Sequence, residues 1–338
     1  MTGSFSIEVK NSDVCYKFVI NRNITVLRGE GATGKTLLYD LVNTYNNADK
    51  RGITVNTTRG AIIETLDNQR FRDNTLLQRL NQNRIFIVDE DSTFVNSNEF
   101  AVQAIQSGFY FILINRDRLD QLSCSIHEIY QLKTSYDRVV TFERLYPVTH
   151  YGAMSPTDSI ITEDQGAGRQ FFSRVFPLAT VTGAHGRDDI INKLRKAKQH
   201  TLVVADGAAF GFNMPEVYSA VSSCEGALIL LESFEYAILK SGIVHSKDVR
   251  LDTLDSPEVQ STVYSSWEQY YTDLLIDLTK DSVLAYKKTH LQPENSKTSN
   301  ASKILEVYDL PPIQPDISST CATNRSNVFS DSVINSDH

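Results

Sequence analysis

A stretch near the N-terminus combines glycine, lysine and threonine at a spacing that suits phosphate binding. Residues Gly29-Glu30-Gly31-Ala32-Thr33-Gly34-Lys35-Thr36 fit the pattern G-x-x-x-x-G-K-[ST] at every fixed position. In such a loop the glycines let successive N–H groups point at one anion. The lysine reaches the terminal phosphates, and the threonine hydroxyl holds Mg²⁺. We therefore predict that this loop, together with Leu37, binds a nucleotide.

The sequence on either side of the loop supports this interpretation. Ile24–Leu27 is a short apolar run rich in β-branched residues, as in a buried parallel strand. Residues 37–42 continue with helical spacing. The loop is thus expected at a helix N-terminus, where the backbone N–H groups and the helix dipole favour phosphate.

A second motif could turn nucleotide binding into hydrolysis. The apolar run Arg84–Val88 ends in Asp89 and Glu90, and it resembles a Walker B strand. That resemblance implies that Asp89 holds Mg²⁺ through water and that Glu90 is the general base for the attacking water.

A third apolar run, residues 109–114, is followed at once by Asn115 and Arg116. This pattern resembles the strand and T-T-R-D signature of STAND and AAA-like ATPases, with Ile114 and Asn115 in place of the two threonines. The resemblance implies an additional-strand P-loop ATPase that uses ATP and Mg²⁺, with Asn115 or Arg116 contacting the γ-phosphate or the attacking water. Surface arginines that cap a sheet edge are the alternative. No L-S-G-G-Q signature lies between Lys35 and Asp89, which argues against an ABC-type cassette.

Composition sets the class of protein. The chain has 338 residues, of which 41% are hydrophobic and 22% charged, with a net charge of −8, as in an ordinary globular protein large enough for two domains. The four cysteines are far apart, so neither disulfides nor a zinc site are expected. With no transmembrane run and no signal pattern in the sequence, we predict a cytoplasmic protein without a membrane partner.

The predicted fold class is α/β, with two parallel-sheet αβ domains. A P-loop ATPase domain covers residues 1–148 and begins with a hairpin (5–9 and 14–20) at the sheet edge. It also contains a strand at 52–55 and a helical stretch at 76–80. The second domain, residues 157–291, ends in a helical extension. Residues 292–338 are predicted to be a linker, a short helix at 301–308 and a disordered tail.

Strands and helices alternate through the second domain. Such alternation implies a parallel sheet covered on both faces. The four predicted strands are 159–162, 178–182, 201–205 and 227–231.

Acidic residues follow several of these strands. Glu163 and Asp164 follow the first strand, Asp206 the third, and Glu232 and Glu235 the fourth. Because ligands of parallel sheets gather at the carboxyl ends of the strands, these carboxylates are expected to form a site for a hard divalent cation.

The order of these residues resembles a TOPRIM domain, a family that supports Mg²⁺-dependent phosphodiester chemistry. The resemblance implies that Glu163 is the catalytic acid or base and that Asp206 is the first metal ligand. The sequence departs from the family where Ala208 replaces the second aspartate of D-x-D and where Asp164 replaces a glycine. Asp164, Glu232 or Glu235 would then complete the metal site.

The pairing of ATPase and TOPRIM domains resembles OLD-family proteins and bacterial anti-phage systems. It implies that nucleotide state controls a Mg²⁺-dependent action on DNA or RNA. The candidate phosphate contacts are Lys193, Arg195, Lys196 and Lys198. One alternative is a regulatory NTPase switch whose second domain is catalytically inactive and binds a partner protein or a second copy of the chain. Another is a Rossmann-like ligand-binding second domain.

Overall fold

The protein is described by a computed structural model. It describes residues 3–29, 33–47, 52–73, 83–116, 119, 122, 124–146, 150–151, 159–197, 200–247, 249, 251, 254 and 267–310. The strands are β1 (Phe5–Lys10), β2 (Cys15–Ile20), β3 (Ile24–Leu27), β4 (Thr54–Thr57), β5 (Ile62–Thr65), β6 (Arg84–Val88), β7 (Tyr110–Ile114), β8 (Ile129–Thr134), β9 (Val139–Arg144), β10 (His150–Tyr151), β11 (Ser159–Thr162), β12 (Thr180–Gly183), β13 (Thr201–Asp206) and β14 (Ala227–Leu231). The α-helices are α1 (Lys35–Asn46), α2 (Asn68–Arg72), α3 (Asn98–Gln106), α4 (Ala167–Val175), α5 (Arg187–Leu194), α6 (Gly207–Phe210), α7 (Met214–Ser223), α8 (Phe234–Lys240), α9 (Trp267–Thr279) and α10 (Thr298–Val307).

The fold is α/β, and the first half of the chain forms a nine-stranded sheet in the order β4-β1-β2-β9-β8-β3-β7-β6-β5. Its centre, from β5 to β8 in that order, is parallel. Strands β3 and β7 are buried along their whole length, which explains why they are continuous apolar runs. Strand β7 lies between β3 and β6, so the strands of the three sequence motifs are neighbours.

The other end of this sheet is built from hairpins. β8 pairs antiparallel with β9, and β1 pairs antiparallel with β2. The predicted N-terminal hairpin is present, but its place at the sheet edge was wrong. β4 pairs with β1 on the outside, and β2 pairs with β9 on the inside.

The second half forms a five-stranded sheet in the order β10-β14-β13-β11-β12. All four predicted strands occur, and their three pairings are parallel. The short strand β10 adds an antiparallel edge next to β14. Helices α4 and α5 follow β11 and β12, so the strand–helix alternation seen in the sequence is realised.

The hydrophobic cores of the two halves interlock. Phe212, which follows α6 in the second half, is buried in a cluster with Val26, Phe111 and other residues of the nine-stranded sheet. Ile126, which precedes β8 in the first half, is buried in a cluster with Val203 and other residues of the second half. Each half therefore completes part of the core of the other.

The segment after residue 291 is folded as far as Leu310, so its interpretation as a linker was wrong. A 3₁₀ turn (Pro293–Ser296) leads into α10, whose residues Ala301, Ile304 and Leu305 are fully buried. These side chains join the core cluster of the five-stranded sheet. The short helix predicted at 301–308 is present within α10 and its C-cap.

Three predictions fall wholly or mostly outside the described residues. They are the helical stretch at 76–80, the boundary between 148 and 157, and the tail beyond 310. In the part of the chain that is described, no helix is long and apolar enough to cross a membrane.

Candidate functional site

The phosphate-loop pattern lies between β3 and the N-terminus of α1. Gly29 and residues 33–37 are described, whereas Glu30, Gly31 and Ala32 lie outside the described residues. Gly34 caps α1 in the left-handed region, at φ 95°. A Cβ there would lie 2.9 Å from the Tyr16 hydroxyl, which itself donates a hydrogen bond to the Gly34 carbonyl at 2.7 Å. Both the backbone conformation and this close contact require glycine.

Lys35 lies inside this loop and is only 4% exposed. Its Nζ donates to the Gly29 carbonyl and to Thr33 Oγ1, both at 3.0 Å. Burial lowers the pKa of Lys35, as does the positive charge of Arg116, while Glu90 opposes the shift. The ammonium group is thus turned towards Gly29 and Thr33. The phosphate of a bound nucleotide would be its counter-ion.

The Asp89-Glu90 and Asn115-Arg116 motifs lie at the same edge of the sheet as the phosphate loop. Leu27 pairs with Ile114 and Val88 pairs with Leu113, so the residues that follow β3, β7 and β6 stand side by side. Arg116 Nε lies 3.0 Å from Glu90 Oε1. Arg116 and Glu90, the residue expected to act as the general base, are therefore in contact in this structure.

Asn115 and Asp89 lie deeper at that edge. Asn115 is buried, and its backbone N–H donates to the Leu27 carbonyl at 3.2 Å. Asp89 is half-buried. Burial is the main cause that raises the pKa of the Tyr39 hydroxyl on α1, and the nearby charge of Asp89 raises it further.

The donors at this edge fit Mg²⁺. Thr36 is exposed on the first turn of α1, and Asp89 directly follows β6. Mg²⁺ beside nucleotide phosphates needs only one or two protein oxygens, because phosphate and water supply the rest. Thr36 and Asp89 are the residues that would hold it.

A second candidate site lies at the carboxyl ends of β11 and β13. The Asp206 backbone N–H donates to Glu163 Oε2 at 2.9 Å. Burial raises the pKa of both carboxyl groups, and for Asp206 the charge of Glu163 raises it further. Both shifts favour the protonated form of these carboxyl groups.

The other acids predicted as metal ligands here have partners of their own, although Asp164 also lines the cavity beside the pair and its charge raises the pKa of Glu163. The Asp164 carboxylate accepts the backbone N–H groups of Gly166 and Gly168 at the start of α4. Glu232 points to Arg22 in the first half, with Arg22 Nη2 2.6 Å from both of its oxygens. Glu235 accepts from the Tyr286 hydroxyl at 2.7 Å. Among the described residues, no group of three His, Cys, Asp or Glu side chains could hold a metal.

A small cavity adjoins the acidic pair. Its lining includes Glu163, Asp206, Ser233 and Tyr308, the last from the end of α10. Its volume is about 20 Å³, room for one water molecule but not for a nucleotide. The C-terminal segment thus supplies part of the wall of this cavity, at the edge where the TOPRIM resemblance implies a metal-binding rim.

A buried polar cluster that the sequence did not reveal joins the two halves. Arg22 lies between Glu232 and Glu128, with its Nε 3.8 Å from Glu128 Oε1. Burial raises the pKa of Glu128 to about 7, against the opposing charges of Arg22 and Arg144. Burial alone would raise the pKa of Glu232, but the charges of Arg22, His127 and Arg144 and the Arg22 hydrogen bond together lower it. Of the two carboxyl groups beside Arg22, Glu128 therefore has the higher pKa.

Two of the four candidate phosphate contacts in and after α5 are paired with acids, and Lys198 lies outside the described residues. Lys193 contacts Asp189 on the same helix, and Arg195 Nη2 lies 2.7 Å from Glu216 Oε1 on α7. The half-exposed pairs are typical of a solvated helix face.

No family model, curated protein or solved structure matches this chain. The site must therefore be interpreted from its own geometry.

Proposed function

We propose that the protein binds ATP with Mg²⁺ and hydrolyses it. The observation that carries the proposal is the strand order β3-β7-β6, which brings the phosphate loop, the Asn115-Arg116 pair and the Asp89-Glu90 pair to one sheet edge. Three motifs that are far apart in the sequence share this edge, and each carries a chemistry that ATP hydrolysis requires.

Each residue of the site has a role in ATP hydrolysis that follows from its position. The loop N–H groups and Lys35 bind the phosphates, while Thr36 and Asp89 hold Mg²⁺, which neutralises charge on the phosphates. Glu90 accepts a proton from the attacking water as the water oxygen bonds to the γ-phosphorus and the bond from that phosphorus to the ADP oxygen breaks. The products are ADP and phosphate. Arg116 leaves Glu90 for the γ-phosphate, so that nucleotide binding itself frees the general base.

Phosphate release from ATP tests this assignment. Lys35→Ala is expected to abolish nucleotide binding. Glu90→Gln is expected to retain binding but to lower kcat by about 10²- to 10⁴-fold. Lys10→Ala, at an exposed lysine on β1, is the control. ATP hydrolysis that persists in both Lys35→Ala and Glu90→Gln would disprove the proposal.

For the second half, the observations favour a switch module over a nuclease. Asp164, Glu232 and Glu235 have other partners, and Tyr308 lines the small cavity beside Glu163 and Asp206. These contacts support a regulatory NTPase whose second half binds a partner, rather than a Mg²⁺-dependent nuclease.

A cleavage assay separates the two. The protein is incubated with single- and double-stranded DNA or RNA, ATP, and Mg²⁺ or Mn²⁺. Intact substrates are expected. Cleavage that disappears in Glu163→Ala and Asp206→Ala would restore the nuclease interpretation.

A further inference from the structure

Arg28 stands at the start of the phosphate loop, between β3 and Gly29, and its contacts reach in two directions. Its backbone N–H donates to the Tyr130 carbonyl on β8 at 2.8 Å, which fixes the main chain as it leaves the sheet. The side chain is therefore carried on a well-held backbone.

In one direction the guanidinium crosses to the neighbouring strand end. Arg28 Nη2 donates to the Arg116 carbonyl at 2.8 Å, and the Arg116 side chain in turn contacts Glu90. A row of three residues, Arg28, Arg116 and Glu90, thus runs across the ends of β3, β7 and β6. A shift of the Arg116 main chain towards a nucleotide would strain or break the Arg28 hydrogen bond, which is made to the Arg116 backbone carbonyl.

In the other direction the same guanidinium meets the second half of the chain. Its central carbon lies 5.6 Å from the ring centroid of Phe212, within the range of a cation–π contact. Phe212 is buried in the core of the first half.

The turn that carries Phe212 is held tightly on the first half. Gly211 has a φ of 41°, and a Cβ there would lie 2.8 Å from the Cys124 carbonyl. This turn (Gly211–Asn213) follows α6, and α6 begins directly after Asp206.

We infer that Arg28 is a positioning residue, which holds Arg116 in the nucleotide site and passes its movement to residues 207–213 beside Asp206. The inference rests on the proposed ATPase function and deepens it. Arginine suits the position because its planar guanidinium can donate a hydrogen bond to a carbonyl while its face packs on an aromatic ring. The ammonium group of lysine cannot do both.

Two measurements on the full chain test this. In steady-state ATP turnover, Arg28→Lys keeps the charge but loses the fork, so kcat is expected to fall on the order of tenfold while KM changes less than about twofold. Arg187→Lys, on α5, is the matched control and should leave both constants unchanged. Equal kcat values for the wild type and Arg28→Lys would overturn the inference.

The second measurement is amide hydrogen exchange of residues 207–213, with and without ATP. The wild type is expected to change its exchange in this segment on binding ATP. Arg28→Lys and Phe212→Leu, which keep a cation and an apolar side chain but lose the guanidinium–ring contact, are expected to lose that change. A response that persists in both variants, or none in a wild type that hydrolyses ATP, would contradict the coupling.

The two proposals fail differently. If the wild type neither binds nor hydrolyses ATP, the proposed function fails. If turnover is normal and depends on Lys35, but Arg28→Lys has no effect on it, only the role of Arg28 fails.

Discussion

At the residue scale, Gly34 is the position where the phosphate loop tolerates least change. Gly34→Ala would force a left-handed alanine and press its Cβ against the Tyr16 hydroxyl at 2.9 Å. We expect this variant to lose about 1–2 kcal/mol of stability and also most of its ATP affinity, measured by fluorescence titration with a labelled nucleotide.

Gly52 supplies the matched control for this prediction. It also has a positive φ, 73°, but a Cβ there would meet nothing within 4 Å. Gly52→Ala should therefore show a similar loss of stability with normal ATP affinity. Equal affinity in the two variants would show that the Tyr16 contact does not shape the loop.

Glu128 gives the protein a pH dependence of definite sign. Its pKa rises from 4.5 to about 7 on folding, so its contribution to stability is full below pH 4.5 and is lost as the pH rises through 7. His127 acts oppositely, because burial lowers its pKa from 6.5 to about 4. Its contribution is full above pH 6.5 and is lost as the pH falls through 4.

Glu128→Gln isolates the first of these effects, since the amide resembles the protonated acid. The difference in unfolding free energy between Glu128→Gln and the wild type should shift by about 2 kcal/mol in favour of the variant between pH 5.5 and pH 8. Urea denaturation at the two pH values measures it. A pH-independent difference would mean that Glu128 is already ionised in the folded protein.

At the scale of elements, α10 is part of the folded second half. Leu305 is fully buried, whereas Lys303 on the same helix is exposed. Leu305→Ala should cost about 2–5 kcal/mol of stability through the cavity it leaves, and Lys303→Ala should change it little. Thermal unfolding followed by circular dichroism distinguishes them, and equal melting temperatures would contradict this packing.

The same helix shows why part of the fold escaped prediction. The Ser-, Asn- and Lys-rich composition around 292–300 favoured a linker, yet three residues at helical spacing, Ala301, Ile304 and Leu305, were enough to dock it. β5 was missed for a related reason. Its four residues, Ile62–Thr65, carry little pattern until β6 pairs with them.

Local patterns predicted the strands and the helix that flank the three motifs, because each motif is contiguous in sequence with the element beside it. What sequence could not give was the partner of each side chain. Glu232 and Asp206 both follow parallel strands, but Glu232 turns to Arg22, a residue far away in the chain. Arg28 had one available signal, its position directly before Gly29.

At the scale of the whole molecule, Arg22 lies between acids from both halves and pairs most closely with Glu232. Arg22→Leu would leave Glu232 buried without its counter-charge, and we expect a loss of about 3–5 kcal/mol. Arg195→Ala, which removes an exposed pair with Glu216, should cost no more than about 1 kcal/mol. Urea unfolding of both variants checks the contrast, and equal losses would show that the buried cluster does not join the halves.

The interlocked cores of Ile126 and Phe212 bear on how such a chain can be inherited. A gene encoding only the first half would leave a hole where the Phe212 ring belongs and would expose Ile126 to water. A gene encoding only the second half would have the converse defect. The halves are therefore poor candidates for exchange by recombination, and a substitution at either contact should be tolerated best when its counterpart across the boundary changes as well.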